Sequence, residues 1–192
     1  MKATMSELGL PVASDEQCAA TIGLPLKDCF KQIYQDMDDE EAQQCALAYC
    51  RIFDVNKHHL TPTLFPGIYS TLNTLKRHGA TMAVASSRSH ASLVELLNML
   101  GAGRLFSLVL GCDNVEHPKP HPEAVLTIME MLQFTAQQTL VVGDMPVDIE
   151  MGNRAGALTC AVTWGNASRE QLQHCSPSLI IDESAQLLHI ST

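Results

Sequence analysis

From residue 61 onward, short and nearly continuous apolar runs alternate with stretches whose apolar residues recur at helical spacing. The runs "TMAVASS", "LFSLVLGCD", "TLVVGD", "LTCAVTWG" and "SLIIDE" read as strands. Between and around them "GIYSTLNTLKRHG", "HASLVELLNMLG", "PEAVLTIMEMLQ", "VDIEMGNRAG", "SREQLQHC" and "SAQLLHI" read as helices. Strands that are apolar throughout have both faces covered, which predicts a parallel sheet between helical layers. Ahead of residue 61 there is no strand pattern. Ser14 with Gln17 forms a capping-box pattern, Pro25 opens the first turn of "LKDCFKQIYQDM", and Asp38, Asp39, Glu40 and Glu41 suit the positive end of "EEAQQCALAYCRIF". The texture changes at "HHLTPTLFPG", where Thr61, Pro62 and Pro66 break the periodicity. The pattern therefore predicts a helical segment over 1–60, with Met1 and Met5 inside a helix, and an α/β core over 61–192.

Composition narrows the setting. In a chain of 192 residues, 46% hydrophobic residues are ample for one core. Seven cysteines, an odd number with no C-x-x-C pair, argue against a secreted disulfide framework and for a reducing cytoplasm. "MKATMSELGLP" has no apolar signal region, and no run approaches the ~20 apolar residues of a membrane span. Twelve basic against twenty-one acidic residues give a net charge of −9, which disfavours nucleic acid and means that an anionic substrate needs a local positive pocket. Without a sustained heptad or an apolar stripe, a monomer or weak dimer is expected.

Ligands of open α/β sheets bind beyond the carboxyl ends of the strands. The first such exit offers Ser86, Ser87 and Arg88, hydroxyls and backbone N–H groups entering a helix, a phosphate-shaped arrangement with an arginine fork beside it. The second leads to "CDNVEHPKPHPE", where prolines hold Lys119; the only other lysine beyond residue 60, Lys76, sits at a helix end where a cation is expected anyway. The third gives Asp144 and, four residues on, Asp148, hard oxygen ligands suited to Mg²⁺. Each has a plainer reading: a helix cap for the serines, a solvated loop for the lysine, a charged helix start for Asp148. Their placement at three successive strand exits favours a shared anion and metal site. A zinc site from His117, His121, Cys112 and Asp113 is disfavoured, because Pro118, Pro120 and Pro122 preclude the helical presentation of the histidine pair. His58 and His59 read as linker residues, His90 as a helix start, Trp164 as a packing residue, and Gly156 as a left-handed helix end.

Ser86, Lys119 in "KP" and "GDMPVD" together resemble three motifs of the haloacid dehalogenase superfamily of Mg²⁺-dependent phosphatases. "LGLP", "IGLPL", "LFPG" and "RAGALTCAVTWG" are similar to its phosphoglycolate phosphatase-like branch, which carries a helical cap. The resemblance implies a Rossmannoid parallel sheet with a cap at 1–60. It also implies a phosphoryl hydrogen bond from Ser86, charge stabilisation by Lys119, Mg²⁺ at Asp144, and support of the metal or of Lys119 by Asp148. Met145 stands where the family commonly has threonine. The family's D-x-D-G-T motif, which supplies the attacking aspartate on the first, central strand, has no counterpart here, as if the chain were truncated ahead of "MKATMSELGLP". Asp54 in "RIFDVNKHH" is rejected as that nucleophile because its surroundings are helical in pattern and no Gly-Thr follows. The expectation is a phosphatase of a small phosphorylated metabolite, inactive without its nucleophile; the alternative is a catalytically dead protein that binds a phospho-ligand or metal. The strands beside the missing one would lose hydrogen-bond partners.

Overall fold

The computed structural model describes residues 1–56 and 62–190, so His58 and His59 lie outside the described residues. The chain divides into two compact units, Met1–Pro62 and Thr63–Thr192. No described helix is long and apolar enough to cross a membrane.

The first unit is helical throughout its described part: α1 (Lys2–Glu7), α2 (Asp15–Ala19), α3 (Leu26–Ile33) and α4 (Asp39–Asn56). Met5, Ala13, Phe30 and Cys45 form its buried core. The capping box is present, with Ser14 Oγ accepting from Gln17 N–H at 3.1 Å and Gln17 Oε1 accepting from Ser14 N–H at 2.9 Å. At the start of α4, Asp38 Oδ1 accepts the N–H groups of Glu40 and Glu41. Asp39 there takes the amines of both Lys27 and Lys31. Those hydrogen bonds hold its carboxyl down at about 2. Asp54 is exposed on α4, which agrees with its rejection as a strand-borne nucleophile.

The second unit alternates strand and helix: α5 (Ile68–Arg77), β1 (Ala83–Ala85), α6 (His90–Met99), β2 (Leu108–Leu110), α7 (Glu123–Leu132), β3 (Leu140–Gly143), α8 (Pro146–Arg154), β4 (Leu158–Val162), α9 (Arg169–His174) and β5 (Leu179–Ile181). All pairings are parallel, with Val84 opposite Val109, Val141 opposite Thr159 and Ala161 opposite Ile180. Right-handed βαβ crossovers are the usual way to join such strands. Gly156, at φ +73°, ends α8 in the left-handed region as expected. "SAQLLHI" departs from expectation: Ser184–His189 is a 3-10 helix, too short a segment to complete regular α turns.

Among the described residues the strands form two sheets, β1-β2 and β3-β4-β5, with no pairing between them. Only β4 has a partner on each side, and Thr159–Val162 are correspondingly buried. β3 is covered less well, and Val142 in its middle is 44% exposed. β1 and β3 both border one cavity of about 910 Å³, whose floor and walls include Leu72 of α5 and Met129 of α7. Among the described residues, one edge of each of these two strands has no ladder partner.

Candidate active site at the strand ends

The end of β3 delivers Asp144 into the turn before α8, and Asp148 folds back over that turn from the helix. Gly143 makes the approach feasible: a Cβ there would lie 2.2 Å from Asp148 Cβ, so only glycine fits. Asp148 Oδ2 accepts the Met145 N–H at 3.2 Å, satisfying a donor at the helix start. Its Oδ1 accepts from Lys119 Nζ at 2.7 Å, and the two side chains are only 15% (lysine) and 13% (aspartate) exposed. The plain helix-start reading of Asp148 and its pairing with Lys119 are thus both realised.

Lys119 arrives from the loop between β2 and α7. Prolines flank it on both sides, the Lys119–Pro120 bond is cis, and His121 N–H donates to the Pro118 carbonyl at 2.9 Å. Arg154 of α8 donates to the Pro120 carbonyl at 3.0 Å, fastening the loop to the helix that carries Asp148. The lysine is therefore anchored and not a solvated loop residue.

Asp144 is held from a fourth strand exit that the sequence reading assigned only to Trp164 packing. Its Oδ2 accepts both the backbone N–H and the side-chain Nδ2 of Asn166, each at 2.8 Å, and its carbonyl accepts from Ala167 N–H at 3.2 Å. Gly165 presses against the same carboxylate, since a Cβ there would sit 2.2 Å from Asp144 Oδ2. Among the described residues none donates to Asp144 Oδ1, which leaves a hard oxygen for a cation. Lys119, Asp144, Asp148, Gly165 and Asn166 all line the cavity between β1 and β3, as does Trp164. The signal for Gly165 and Asn166 was present in "TWGN", a glycine and an amide directly past a strand.

Ser86, Ser87 and Arg88 follow β1 immediately, beyond Ala85, the last residue of that strand to line the cavity; they do not line it themselves. Ser86 N–H donates to the Leu110 carbonyl at 3.0 Å, extending the β1-β2 ladder, and its Oγ accepts from Arg88 N–H at 3.2 Å. The Arg88 guanidinium reaches Ser92 Oγ one helical turn on, at 3.3 Å. His90 starts α6 with its N–H on Asp113 Oδ1 at 2.6 Å, the helix-start role expected. Of the disfavoured zinc set, Asp113 serves α6, while His117 meets Glu123, with Nδ1 to Oε2 at 2.8 Å.

A sequence profile of haloacid dehalogenase-like hydrolases matches residues 1–162. The chain belongs to this family. The probable phosphatase IndB of Dickeya dadantii is 38% identical over 186 residues, spanning 96% of this chain and 81% of that protein. A phosphoglycolate phosphatase of Pseudomonas savastanoi pv. phaseolicola is 28% identical over 190 residues, spanning 96% of this chain and 69% of that enzyme. A solved haloacid dehalogenase-like hydrolase from Bacteroides fragilis shares the fold with a TM-score of 0.89 at 24% identity, over 96% of this chain and 88% of its own. The haloacid dehalogenase-like α/β architecture and the phosphatase kinship expected from Ser86, "KP" and "GDMPVD" are therefore established.

Proposed function

We propose that the carboxyl end of the cavity between β1 and β3 is a phosphatase-type site for a small phosphorylated metabolite, with Mg²⁺ held at Asp144. The observation that carries this reading is the convergence on one cavity of the anchored ammonium of Lys119 and the Asp144 carboxylate with one oxygen unengaged. The donor set fits the ion, because a carboxylate oxygen next to an amide-rich turn is hard and leaves room for the waters Mg²⁺ retains. When bound, Mg²⁺ supplies Lewis-acid neutralisation of phosphoryl oxygens. Lys119 stabilises charge on the phosphoryl group, and Ser86, Ser87 and Arg88, which follow β1 just beyond the cavity lining, are its further donors where the phosphoryl group reaches past Ala85. Asp148 positions Lys119 and sits behind the metal as a supporting carboxylate.

Covalent phosphoryl transfer also needs a carboxylate in line with phosphorus. The acidic residues lining the cavity are Asp144 and Asp148, the first held by Asn166 and the second by Lys119 and Met145 N–H. This favours a second reading for these 192 residues, ligand binding without turnover. The protein is taken to act in the cytoplasm as a monomer or weak dimer.

The test is hydrolysis of p-nitrophenyl phosphate with and without Mg²⁺, alongside calorimetric binding of tungstate as a phosphate analogue. Expected are no Mg²⁺-dependent turnover and tungstate binding that weakens in Lys119→Ala. Mg²⁺-dependent turnover abolished by Asp144→Ala would show that this chain hydrolyses phosphate esters through this site and overturn the binding-only reading. Unchanged tungstate affinity in Lys119→Ala would remove the lysine from the site.

A further inference from the structure

On the outer side of the loop that delivers Lys119, three side chains converge that the phosphatase reading does not use. His117 and His121 bring their rings to 4.4 Å between centroids, tilted by 31°. Glu123, the first residue of α7, closes the group: its Oε2 lies 2.8 Å from His117 Nδ1 and 3.9 Å from His121 Nδ1. One ligating atom from each of the three can be chosen so that all lie within 4.8 Å of one another.

We propose that His117, His121 and Glu123 form a binding site for a borderline divalent transition metal, with Zn²⁺ as its natural occupant. Pro118, Pro120 and Pro122 do exclude an i, i+4 helical pair, yet the turn closed by His121 N–H on the Pro118 carbonyl folds the two imidazoles onto each other. Three fixed φ angles in six residues mean that little conformational entropy remains to be lost when the ligands close on an ion.

The third ligand is equally prepared. Glu123 Oε1 accepts Glu116 N–H at 2.7 Å and Oε2 accepts His117 N–H at 2.9 Å, so the carboxylate is fixed by backbone before any ion arrives. Those contacts serve as the outer hydrogen bonds that orient a ligating carboxylate. Coordination replaces the His117 Nδ1 to Oε2 contact by two metal bonds, with the ring bound through Nδ1 as its neutral Nε2–H tautomer and any proton displaced from Nδ1 passing to solvent. His121 exchanges the weak 3.3 Å hydrogen bond from Glu123 N–H to its Nδ1 for a metal bond.

Two imidazoles and one carboxylate are the donor set of a three-ligand zinc site with the remaining position left to water. Exposure of 59% for His117 and 48% for His121 gives water that access. The set also discriminates: nitrogen donors rank Ni²⁺, Cu²⁺ and Zn²⁺ above Mn²⁺ and suit Mg²⁺ poorly, whereas Asp144 offers only oxygen. An ion here ties together the residues on either side of Lys119.

The test uses the full chain in a Cys50→Ser, Cys112→Ser background, which removes the two exposed thiols, after stripping with EDTA. Zn²⁺ is titrated against a fluorescent chelator, and Co²⁺ absorption reports the ligands. One Zn²⁺ per chain is expected, weakened at least about tenfold by His117→Ala, by His121→Ala and by Glu123→Gln. Glu123→Gln keeps acceptors for the two backbone N–H groups, so it removes the charge and spares the loop. Asp144→Asn is expected to leave Zn²⁺ affinity unchanged, which separates this site from the Mg²⁺ site whatever the fate of the phosphatase reading. Zn²⁺ affinity equal in parent and all three variants, or loss of binding in Asp144→Asn alone, would overturn the proposal.

Discussion

The Lys119–Asp148 pair can be weighed by a double-mutant cycle. At 2.7 Å and an effective dielectric of about 20, the Coulomb attraction is about 6 kcal/mol. Desolvating both ions costs several kcal/mol each, so the pair as a whole contributes little net stability. Removing one partner is different, because it strands the other charge. A fully buried orphan costs about 3–5 kcal/mol. Here the side chains retain 15% and 13% exposure, so water reaches the edge of the pair and about 2 kcal/mol is the reasoned cost. Lys119→Met keeps the stem and removes the charge. Asp148→Asn removes the charge and keeps an oxygen for Met145 N–H. Each single variant is expected to lose about 2 kcal/mol, or roughly 4–8 °C in Tm. The double variant is expected to lose no more than the worse single, giving a coupling of about 2 kcal/mol. Urea unfolding in EDTA, followed by the fluorescence of Trp164, reports locally: it is the sole tryptophan and lines the same cavity. Single losses that add to within about 0.5 kcal/mol in the double variant would refute the reasoning, because they would show that the two charges do not sense each other.

Other consequences are open to direct measurement. Gly165→Ala, placing a Cβ 2.2 Å from Asp144 Oδ2, is expected to cost about 1–3 kcal/mol in urea unfolding and to weaken Mg²⁺ binding by calorimetry; a neutral variant would mean that the "TWGN" turn does not press on the aspartate. Asp39, held down at about 2 by Lys27 and Lys31, contributes stability that is present above its ordinary value of 3.8 and lost as pH falls through 2; circular dichroism of Asp39→Asn should show a flatter acid limb between those values. Fully buried Cys160, pushed up to about 11, leaves stability intact below the ordinary thiol value of 9.0 and erodes it as pH rises toward 11. Native Cys160 should resist iodoacetamide at neutral pH while exposed Cys112 is alkylated, and mass mapping of the adducts checks this.

Much of this was legible because it is local. The Ser14–Gln17 box, the acidic start of α4 and the left-handed Gly156 depend on residues within one turn of each other, and all appear as expected. The strand exits were legible too, since an apolar run followed by Gly-Asp states where a parallel strand stops. What escaped was set by contacts between segments far apart in sequence. Nothing in "TLVVGD" says which edge of β3 is paired, so the two-sheet arrangement and the exposure of Val142 emerge only in three dimensions. Asn166 grips Asp144 across twenty-two positions. The convergence of His117, His121 and Glu123 is illegible in sequence for another reason: helical spacing excludes it, and a proline turn supplies it.

Charge in the cavity sets an order of events. The chain carries a net charge of −9, and within the cavity the ammonium of Lys119 is already balanced by Asp148 at 2.7 Å. What remains is the charge of Asp144, whose Oδ2 is hydrogen-bonded while Oδ1 is not engaged by any described residue. A phosphate monoester approaching alone would meet a local balance of about −1 within a protein field that repels anions. A divalent ion at Asp144, as proposed, would reverse that balance to about +1, and only then would Lys119 act on an anion with the field in its favour. By linkage the two affinities must rise together, since whatever the cation does for the anion the anion does for the cation. Asp148 has a definite part in this. By neutralising the lysine it lowers the cost of holding an ammonium ion in a mostly buried place, and in the proposed site it would make anion binding conditional on the metal, so that a site built on one lysine could tell a cavity with its metal from one without.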